Sequence, residues 1–267
     1  MSNLAKQFRD LHSASELLIL PNAWDAGSAR LFEDAGAKAI ATTSAGVGWA
    51  LGYPDGNVLP PAKLAVLVEA IGRAIRVPLS VDVEAGYTDD PTKVPGNLKP
   101  IIEAGAVGIN IEDGEGAPEL LARKIEQVRK AADGIGVDLF INARTDVYLN
   151  QIGPAESWVE EAISRAALYQ TAGADGLFVP GIVDAPEIEA IAGAIKIPLN
   201  VMARPGLPEA KVLAKLGVRR LSAGGAISQV IWHHASELAK RFLQTGDSEL
   251  IVKDGMSYSK LQDLFAK

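Results

Sequence analysis

Short apolar runs alternate with longer segments of helical spacing from one end of this chain to the other. The runs are rich in β-branched residues, and most are apolar throughout, as in AVGINIE at 106–112 and ADGLFVP at 174–180. Such runs indicate strands that are buried on both faces of a parallel sheet. We identify eight of them, at residues 17–23, 37–43, 78–84, 106–112, 138–144, 174–180, 197–203 and 218–223.

Strands that alternate with helices in this way predict an α/β fold, a (β/α)8 barrel of the TIM type. The length of 267 residues fits one such barrel, so we expect a single domain over residues 1–267. A doubly wound open sheet is the alternative, because it is built from the same βαβ units. A long amphipathic helix at about 227–244 and a tail to Lys267 exceed a minimal barrel. We expect this extension to cover the end of the barrel or to reach a neighbouring subunit.

The charge balance narrows the classes of partner. The chain has 26 Lys and Arg against 33 Asp and Glu, a formal net charge of -7. Nucleic acids and anionic membranes attract clustered Lys and Arg, and the sequence has no such cluster, so we expect neither partner. The absence of cysteine excludes disulfides, thiolate ligands and cysteine nucleophiles. Without a signal peptide or a run of about 18 apolar residues, the sequence predicts a cytoplasmic protein.

Polar residues collect where the predicted strands end. In a (β/α)8 barrel the active site is built at the C-terminal ends of the strands, so these positions carry functional weight. Asp82 and Glu84 close the third strand and, being two residues apart, point to the same side. The other strand-end residues are Glu112 and Asp113 after the fourth strand, Arg144 and Asp146 after the fifth, and Thr43, Ser44 and Asp55 in the loop after the second.

Carboxylates that converge in a barrel mouth repel one another unless a cation neutralises them. Oxygen ligands without cysteine or a nearby histidine select a hard ion, so we predict Mg2+, with Mn2+ as the alternative. Arg144 adds a permanent positive fork that suits a substrate carboxylate. Acidic residues at strand ends also serve as N-caps of the following helix. Asp55 could be such a cap and nothing more, so its part in the site is an open alternative. Asp82, Glu84 and Glu112 together with Arg144 favour a site for a small dianion or oxo acid.

Four motifs occur in a fixed order along the chain: TSAGVGWALGYPDG, SVDVEAGY, INIEDGEG and INARTDVYL. With their spacing, they resemble the isocitrate lyase and phosphoenolpyruvate mutase superfamily over most of the chain. The resemblance implies an α/β barrel whose eighth helix is swapped between subunits, in a homo-oligomer that is a dimer or a tetramer built from dimers. It also implies Mg2+ and a 2-oxo acid or enolate ligand.

By position, the resemblance assigns a role to each strand-end residue. Asp82 matches the direct metal ligand, and Asp55, Glu84 and Glu112 match carboxylates that hold metal-bound waters. Arg144 matches the arginine that binds the oxo acid, and Glu84 stands where many members have Asp. The expected substrate-binding residues are Thr43, Ser44, Ala45, Asp82 and Arg144, and the expected catalytic residues are Arg144, Glu112 and Asp55.

One family feature is missing from the connection after the fourth strand. The family's lyases carry a Lys-Arg-Cys-Gly-His signature there, with the cysteine as general acid, and its mutases carry a lysine. This chain reads GEGAPELLAR, with Pro118 and Leu120 at those positions. Glu115, Tyr87 and a metal-bound water are the remaining candidates for the proton donor or base.

Three functional hypotheses follow. The first is a Mg2+-dependent lyase or decarboxylase that breaks or makes a carbon–carbon bond of a small 2-oxo or 2-hydroxy acid through a metal-stabilised enolate. The second is a phosphorus–carbon bond mutase or hydrolase acting on a phosphonate such as phosphonopyruvate, for which the connection offers only Arg123 and Lys124 as further cations. The third is a non-catalytic protein that binds a metal and an oxo acid.

Overall fold

The computed structural model describes residues 2–266, and it confirms the alternation of strands and helices. Each of the eight predicted runs contains strand, and every pair of neighbouring strands is parallel. Within the described residues the strands are β1 (Leu18–Leu20), β2 (Asn22–Ala23), β3 (Ile40–Thr42), β4 (Leu79–Asp82), β5 (Gly108–Glu112), β6 (Phe140–Arg144), β7 (Gly176–Phe178), β8 (Leu199–Met202) and β9 (Val218–Ser222).

The first predicted strand is divided at Pro21, and its two parts close the sheet into a barrel. Proline has no N–H to donate to a neighbouring strand. β1 pairs with β9, where Leu18 lies opposite Arg220, whereas β2 pairs with β3, where Asn22 lies opposite Ala41. The sheet order is β1-β9-β8-β7-β6-β5-β4-β3-β2, so one continuous segment forms both ends of the sheet. The (β/α)8 barrel is therefore confirmed, and the doubly wound open sheet is excluded.

Helices cover the outside of the barrel. Their apolar faces pack on the outward side chains of the strands in one large core, in which Leu64, Ile101 and Ile125 are fully buried. The helices are α1 (Ser2–Ser13), α2 (Ala26–Asp34), α3 (Ser44–Ala50), α4 (Pro61–Ala74), α5 (Val94–Glu103), α6 (Pro118–Gly134), α7 (Trp158–Thr171), α8 (Ala185–Ala194), α9 (Ala210–Lys215), α10 (Ala226–Thr245), α11 (Ser248–Val252) and α12 (Tyr258–Phe265). A 3-10 turn at Ala155–Ser157 precedes α7.

α1 closes the barrel at the end where the strands begin. Phe8 of α1 packs so tightly beneath Gly108 that a Cβ at that position would lie 2.5 Å from its Cε1 atom. The ring of His12 stacks on Phe140 with 4.0 Å between centroids. Phe8, Leu18 and Phe140 belong to a second apolar cluster at this end. The opposite end, where the strands finish, is therefore left for the functional site.

A layer of buried polar side chains fills the middle of the barrel. Asn142 Nδ2 donates to Asn110 Oδ1 at 2.9 Å and to Asn200 Oδ1 at 3.0 Å. Arg220 is fully buried, and its Nη2 atom donates to Asn110 Oδ1 at 3.2 Å. Hydrogen bonding of this kind offsets part of the cost of burying polar groups. The layer lies between the α1 closure and the strand ends.

The predicted C-terminal helix is α10, whose bounds agree with the prediction to within one residue. Its apolar side chains include exposed ones, such as Trp232 at 45% and Leu243 at 83%. α12 returns to α2, where Arg30 Nε donates to the Leu264 carbonyl at 2.9 Å. Among residues 2–266, no helix combines the length and the apolar content that a membrane crossing requires. Helix swapping and the single-domain organisation stay predictions.

Candidate active site

The strand ends bring the predicted acidic residues together at one mouth of the barrel. Asp82 is the last residue of β4 and is buried, and its N–H donates to Thr42 Oγ1 at 2.8 Å. Glu112 ends β5 and Arg144 ends β6, and these two residues lie opposite each other in the sheet. Three consecutive parallel strands therefore present a carboxylate, a second carboxylate and a guanidinium side by side.

Glu84 lies just beyond β4 in a strained turn. It has φ of 50°, and Tyr87 in the same turn has φ of 60°, a region that non-glycine residues enter at a cost of roughly 1–3 kcal/mol each. The Glu84 Oε2 atom accepts hydrogen bonds from the backbone N–H groups of Gly56, at 3.0 Å, and Asn57. Asn57 Oδ1 in turn accepts from the Ala85 N–H at 3.0 Å. Glu84 thus ties the loop that follows α3 to the end of β4.

The tied loop carries Asp55, which is exposed at its surface. The charge of Asp55 contributes to the raised pKa of Asp82, after burial, so it acts on the same group of carboxylates. Thr43 is buried and precedes α3, and Ser44 and Ala45 form the first turn of that helix. The first N–H groups of a helix have no partner within it, so they are free for a ligand or a nearby side chain. The Ser44 N–H donates to the Asp82 carboxylate, which opposes the rise in the pKa of Asp82.

Arg144 is held between two carboxylates. Its Nη1 atom lies 2.6 Å from Glu112 Oε2. Its Nε donates to Asp146 Oδ1 at 2.6 Å and its Nη2 to Asp146 Oδ2 at 3.0 Å. The guanidinium carbon also lies 5.9 Å from the centroid of the Phe178 ring. Paired bonds to one carboxylate fix the plane of a guanidinium as well as its position.

Burial is the main cause of the raised pKa values of the acidic residues. It raises the pKa of Asp82 and of Glu84 above the ordinary values, and it raises the pKa of Glu112 to about 8. The Arg144 charge opposes the shifts of Asp82 and Glu112, while the neighbouring carboxylates add to them. Without further positive charge these groups are costly to keep ionised. A divalent cation at the mouth would remove that cost.

The donor set fits a partly hydrated hard cation. In residues 2–266, no three side chains of Asp, Glu, His or Cys come close enough to enclose a metal ion between them. Glu84 and Glu112 each already bind a protein group through one carboxylate oxygen. Such a site suits Mg2+, which keeps several waters and takes one or two carboxylates directly. Asp82, whose Oδ1 accepts from the Glu84 N–H at 3.2 Å, also has one oxygen beyond that bond, so all three carboxylates could hold such an ion directly or through water.

The two side chains considered for proton transfer differ in their exposure to solvent. Glu115 is exposed, whereas Tyr87 is half-buried, and burial followed by the charges of Glu84 and Asp82 raises its pKa. Arg123 and Lys124 lie inside α6, and Lys124 Nζ donates to the Ala85 carbonyl at 2.8 Å. Lys124 therefore supports the strained turn rather than facing a ligand.

Sequence reasoning missed two features of this site. Asn57 fixes the turn through its side chain and has φ of 61°, which the turn composition PDGN could have indicated. Asp113 was noted only as a strand-end acid, yet it is fully buried against Arg165 and Tyr169 of α7. The two α7 residues are four apart, so they share one helix face, and a buried polar pair at that spacing was a usable signal.

Comparison with known proteins agrees with this geometry. The family model described as phosphoenolpyruvate phosphomutase matches residues 8–243, which is most of the chain. A crystal structure from Burkholderia cenocepacia J2315, described as a candidate phosphonomutase, is 40% identical. It covers 89% of this chain and 99% of its own, with a TM-score of 0.84.

Two curated relatives extend over similar lengths. An uncharacterized protein of Mycobacterium tuberculosis is 34% identical over 96% of this chain and 94% of its own length. Oxaloacetate decarboxylase 1 of Pseudomonas fluorescens is 30% identical over 81% of this chain and 77% of its own.

Proposed function

Because this chain belongs to the phosphoenolpyruvate phosphomutase family, within the isocitrate lyase and phosphoenolpyruvate mutase superfamily, we propose that it is a carbon–carbon lyase for a small 2-oxo or 2-hydroxy acid. The observation that carries this proposal is the clamped Arg144 beside the buried Asp82 and Glu112. A fixed guanidinium binds a carboxylate, and an oxygen-rich acidic site binds a hard cation. The oxaloacetate decarboxylase relative acts on a substrate of this class.

In decarboxylation of a 3-carboxylated 2-oxo acid, the bond to the leaving carboxyl group breaks and CO2 departs. The electron pair passes to the 2-oxo group as an enolate, and a proton is then taken up at C3. Mg2+, held by Asp82 directly and by Asp55, Glu84 and Glu112 through water, would stabilise the negative charge on the 2-oxo oxygen. Arg144 binds the substrate carboxylate and keeps its own charge throughout.

The remaining roles fall to the loop after β3 and to the strained turn. We assign the other side of the carboxylate to the Ala45 N–H and the Thr43 hydroxyl at the start of α3, beside the Ser44 N–H that bonds Asp82. Tyr87 is the better placed of the two side-chain candidates for proton transfer, because it lies among the acidic residues while Glu115 is exposed. Its hydroxyl is protonated at neutral pH and so has a proton to donate, although burial raises its pKa and makes it a weak acid.

Phosphorus–carbon chemistry is a second candidate, favoured by the Burkholderia relative at 40% identity. A phosphoryl group needs cations beyond the metal and Arg144. Lys124, one of the two predicted for this purpose, donates to the Ala85 carbonyl and its side chain is only 4% exposed. This observation ranks the phosphonate substrate below the oxo acid.

Parallel assays of two substrates with Mg2+ test the proposal. Oxaloacetate turnover is followed as pyruvate formation above an enzyme-free Mg2+ blank. Phosphonopyruvate turnover is followed by phosphorus NMR, as inorganic phosphate for a hydrolase or phosphoenolpyruvate for a mutase. We expect pyruvate formation that Asp82→Asn abolishes and that Asp138→Asn, at the opposite end of the barrel, leaves unchanged. Turnover of phosphonopyruvate to either product, with no pyruvate formed from oxaloacetate, would replace the first candidate by the second. Binding of oxalate with neither product would support the non-catalytic hypothesis.

We further propose that the protein is a homo-oligomer in which α10 packs on a second copy. The outer face of β1 lies open, with Ile19 56% exposed. Beside it is an apolar groove of about 410 Å3, lined among others by Phe32, Leu221 and Ile227. A helix normally covers each strand of such a barrel. The exposed apolar side chains of α10 supply a matching surface for the same groove in a partner.

A further inference from the structure

The substrate-binding guanidinium of the proposed function is supported by a chain of buried hydrogen bonds that reaches the outer helix α7. Asp146, which holds Arg144 through two bonds, donates its own N–H to Asp113 Oδ1 at 2.9 Å. The Asp113 N–H donates to the Arg144 carbonyl at 3.2 Å. The ends of β5 and β6 are therefore joined in both directions, once through backbone and once through the Asp113 side chain.

The second oxygen of Asp113 faces away from the site. Its Oδ2 atom accepts from Arg165 Nη1 at 2.8 Å and from the Tyr169 hydroxyl at 2.5 Å. The Asp113 side chain is fully buried and Arg165 is 7% exposed. The charge of Asp113 is thus balanced by Arg165, and three donors converge on its two oxygens. Burial and the Asp113 charge raise the pKa of Tyr169, so its hydroxyl stays protonated and keeps donating.

We propose that Asp113 and Asp146 are positioning residues, which set the plane and position of the Arg144 guanidinium through this chain of bonds. The proposal rests on the proposed function for the identity of the ligand, a planar carboxylate. A flexible arginine would have to be ordered when the ligand binds, at a cost in binding free energy. Glu112 and Asp146 form a clamp that removes this cost in advance, because they hold all three guanidinium nitrogens of Arg144 before any ligand binds.

The two acidic residues beside Arg144 still leave N–H groups of its guanidinium available to bind an anion. Each terminal nitrogen of Arg144 carries two N–H groups, and its bond to Glu112 or to Asp146 uses one of them, so one N–H on each remains. Those N–H groups stay in the plane that Asp146 imposes. Asp146 is 4% exposed and so is not itself available to a ligand in solution.

Binding of oxalate, a planar dianion, tests the proposal without turnover. We would measure oxalate affinity by calorimetry at saturating Mg2+, and Mg2+ affinity alone, for Asp146→Asn and Tyr169→Phe. We expect Asp146→Asn to weaken oxalate by about ten- to a hundredfold, the range seen when groups that orient site ligands are removed, with Mg2+ affinity within twofold of wild type. Tyr169→Phe should weaken oxalate by a smaller factor. Asp138→Asn, a matched substitution at the exposed partner of Arg9, should change neither affinity.

A second measurement follows the guanidinium itself and needs no ligand. The Nε–H proton of Arg144, assigned in a nitrogen–proton NMR spectrum by its loss in Arg144→Lys, should exchange slowly in wild type. It should exchange at least tenfold faster in Asp146→Asn and faster than wild type in Tyr169→Phe. Unchanged exchange and unchanged oxalate affinity in both variants would overturn the positioning role. Failure of wild type to bind oxalate, with slow exchange lost in the variants, would instead overturn the proposed function and keep the clamp.

Discussion

Removing the charge of Arg144 should destabilise the fold strongly, because the residue is the counter-charge of two buried acids. Arg144, Glu112 and Asp146 are 16%, 15% and 4% exposed. Arg144→Met therefore leaves two carboxylates in the barrel mouth without their partner. Breaking a buried ion pair from one side lowers the free energy of unfolding by about 3–5 kcal/mol, whereas an exposed pair contributes at most about 1 kcal/mol. We expect a loss in the higher range at pH 10 in metal-free buffer, above the pKa of about 8 that Glu112 has beside Arg144.

The pH dependence of this loss supplies the sharper test. In the wild type, burial raises the pKa of Glu112 and of Asp146, and Arg144 opposes both shifts. Without Arg144 both pKa values rise further, so protonation can neutralise the stranded carboxylates. The destabilisation is then complete above the raised values and decreases as the pH falls through them, by up to about 1.4 kcal/mol per pH unit for each group.

Urea unfolding at pH 10, 9, 8 and 7, with EDTA present, measures the loss across the raised pKa of Glu112. Combining Arg144→Met with Glu112→Gln and Asp146→Asn should recover most of the stability at pH 10, because no buried charge is then left unpaired. A loss of less than 1 kcal/mol at pH 10, or one that stays constant from pH 10 to pH 7, would refute the reasoning.

Three further predictions concern the barrel end that α1 closes and the proposed oligomer. Burial lowers the pKa of His12 to about 3, below an unfolded value of about 6.5. Stability should therefore be complete above pH 6.5 and fall toward pH 3 with a slope near 1.4 kcal/mol per pH unit, and His12→Gln should lack that slope in urea unfolding at pH 7.5 and 4.5. Gly108→Ala should cost about 1–3 kcal/mol by overpacking Phe8, seen as a lower Tm, and an unchanged Tm would contradict the close contact. Trp232→Glu on α10 should lower the mass measured by light scattering, and an unaltered oligomer would speak against the proposed packing.

The barrel was predictable because its signals are local. The apolar runs mark strands buried on both faces, and the order of strands follows from parallel neighbours joined by helices. The break at Pro21 was not predicted, since the run 17–23 reads as one strand until its two partners are known. The polar layer of Asn110, Asn142 and Asn200 also escaped, because single asparagines inside apolar runs carry no sign of one another.

The site was predictable to the level of the strand ends. Alternation along a strand places Asp82 at the mouth, and neighbouring strand ends bring Glu112 and Arg144 beside it. The partners of each group were beyond reach. Glu84 reaches the loop backbone at Gly56 from a turn in which its φ is positive. A positive φ cannot be predicted from a glutamate in the sequence. The support from Tyr169 joins residues 56 positions apart and needed the packing of α7 on the sheet.

The central claim is that Asp82, a divalent cation and Arg144 together stabilise the enolate of a 2-oxo acid. Its most direct measurement is the uptake of deuterium from solvent into the methyl group of pyruvate, followed by proton NMR with and without Mg2+. We expect exchange above the enzyme-free rate that requires Mg2+, is lost in Asp82→Ala and survives in Asp138→Asn. Exchange that persists in Asp82→Ala, or wild-type protein that binds pyruvate and Mg2+ without exchanging its protons, would contradict it.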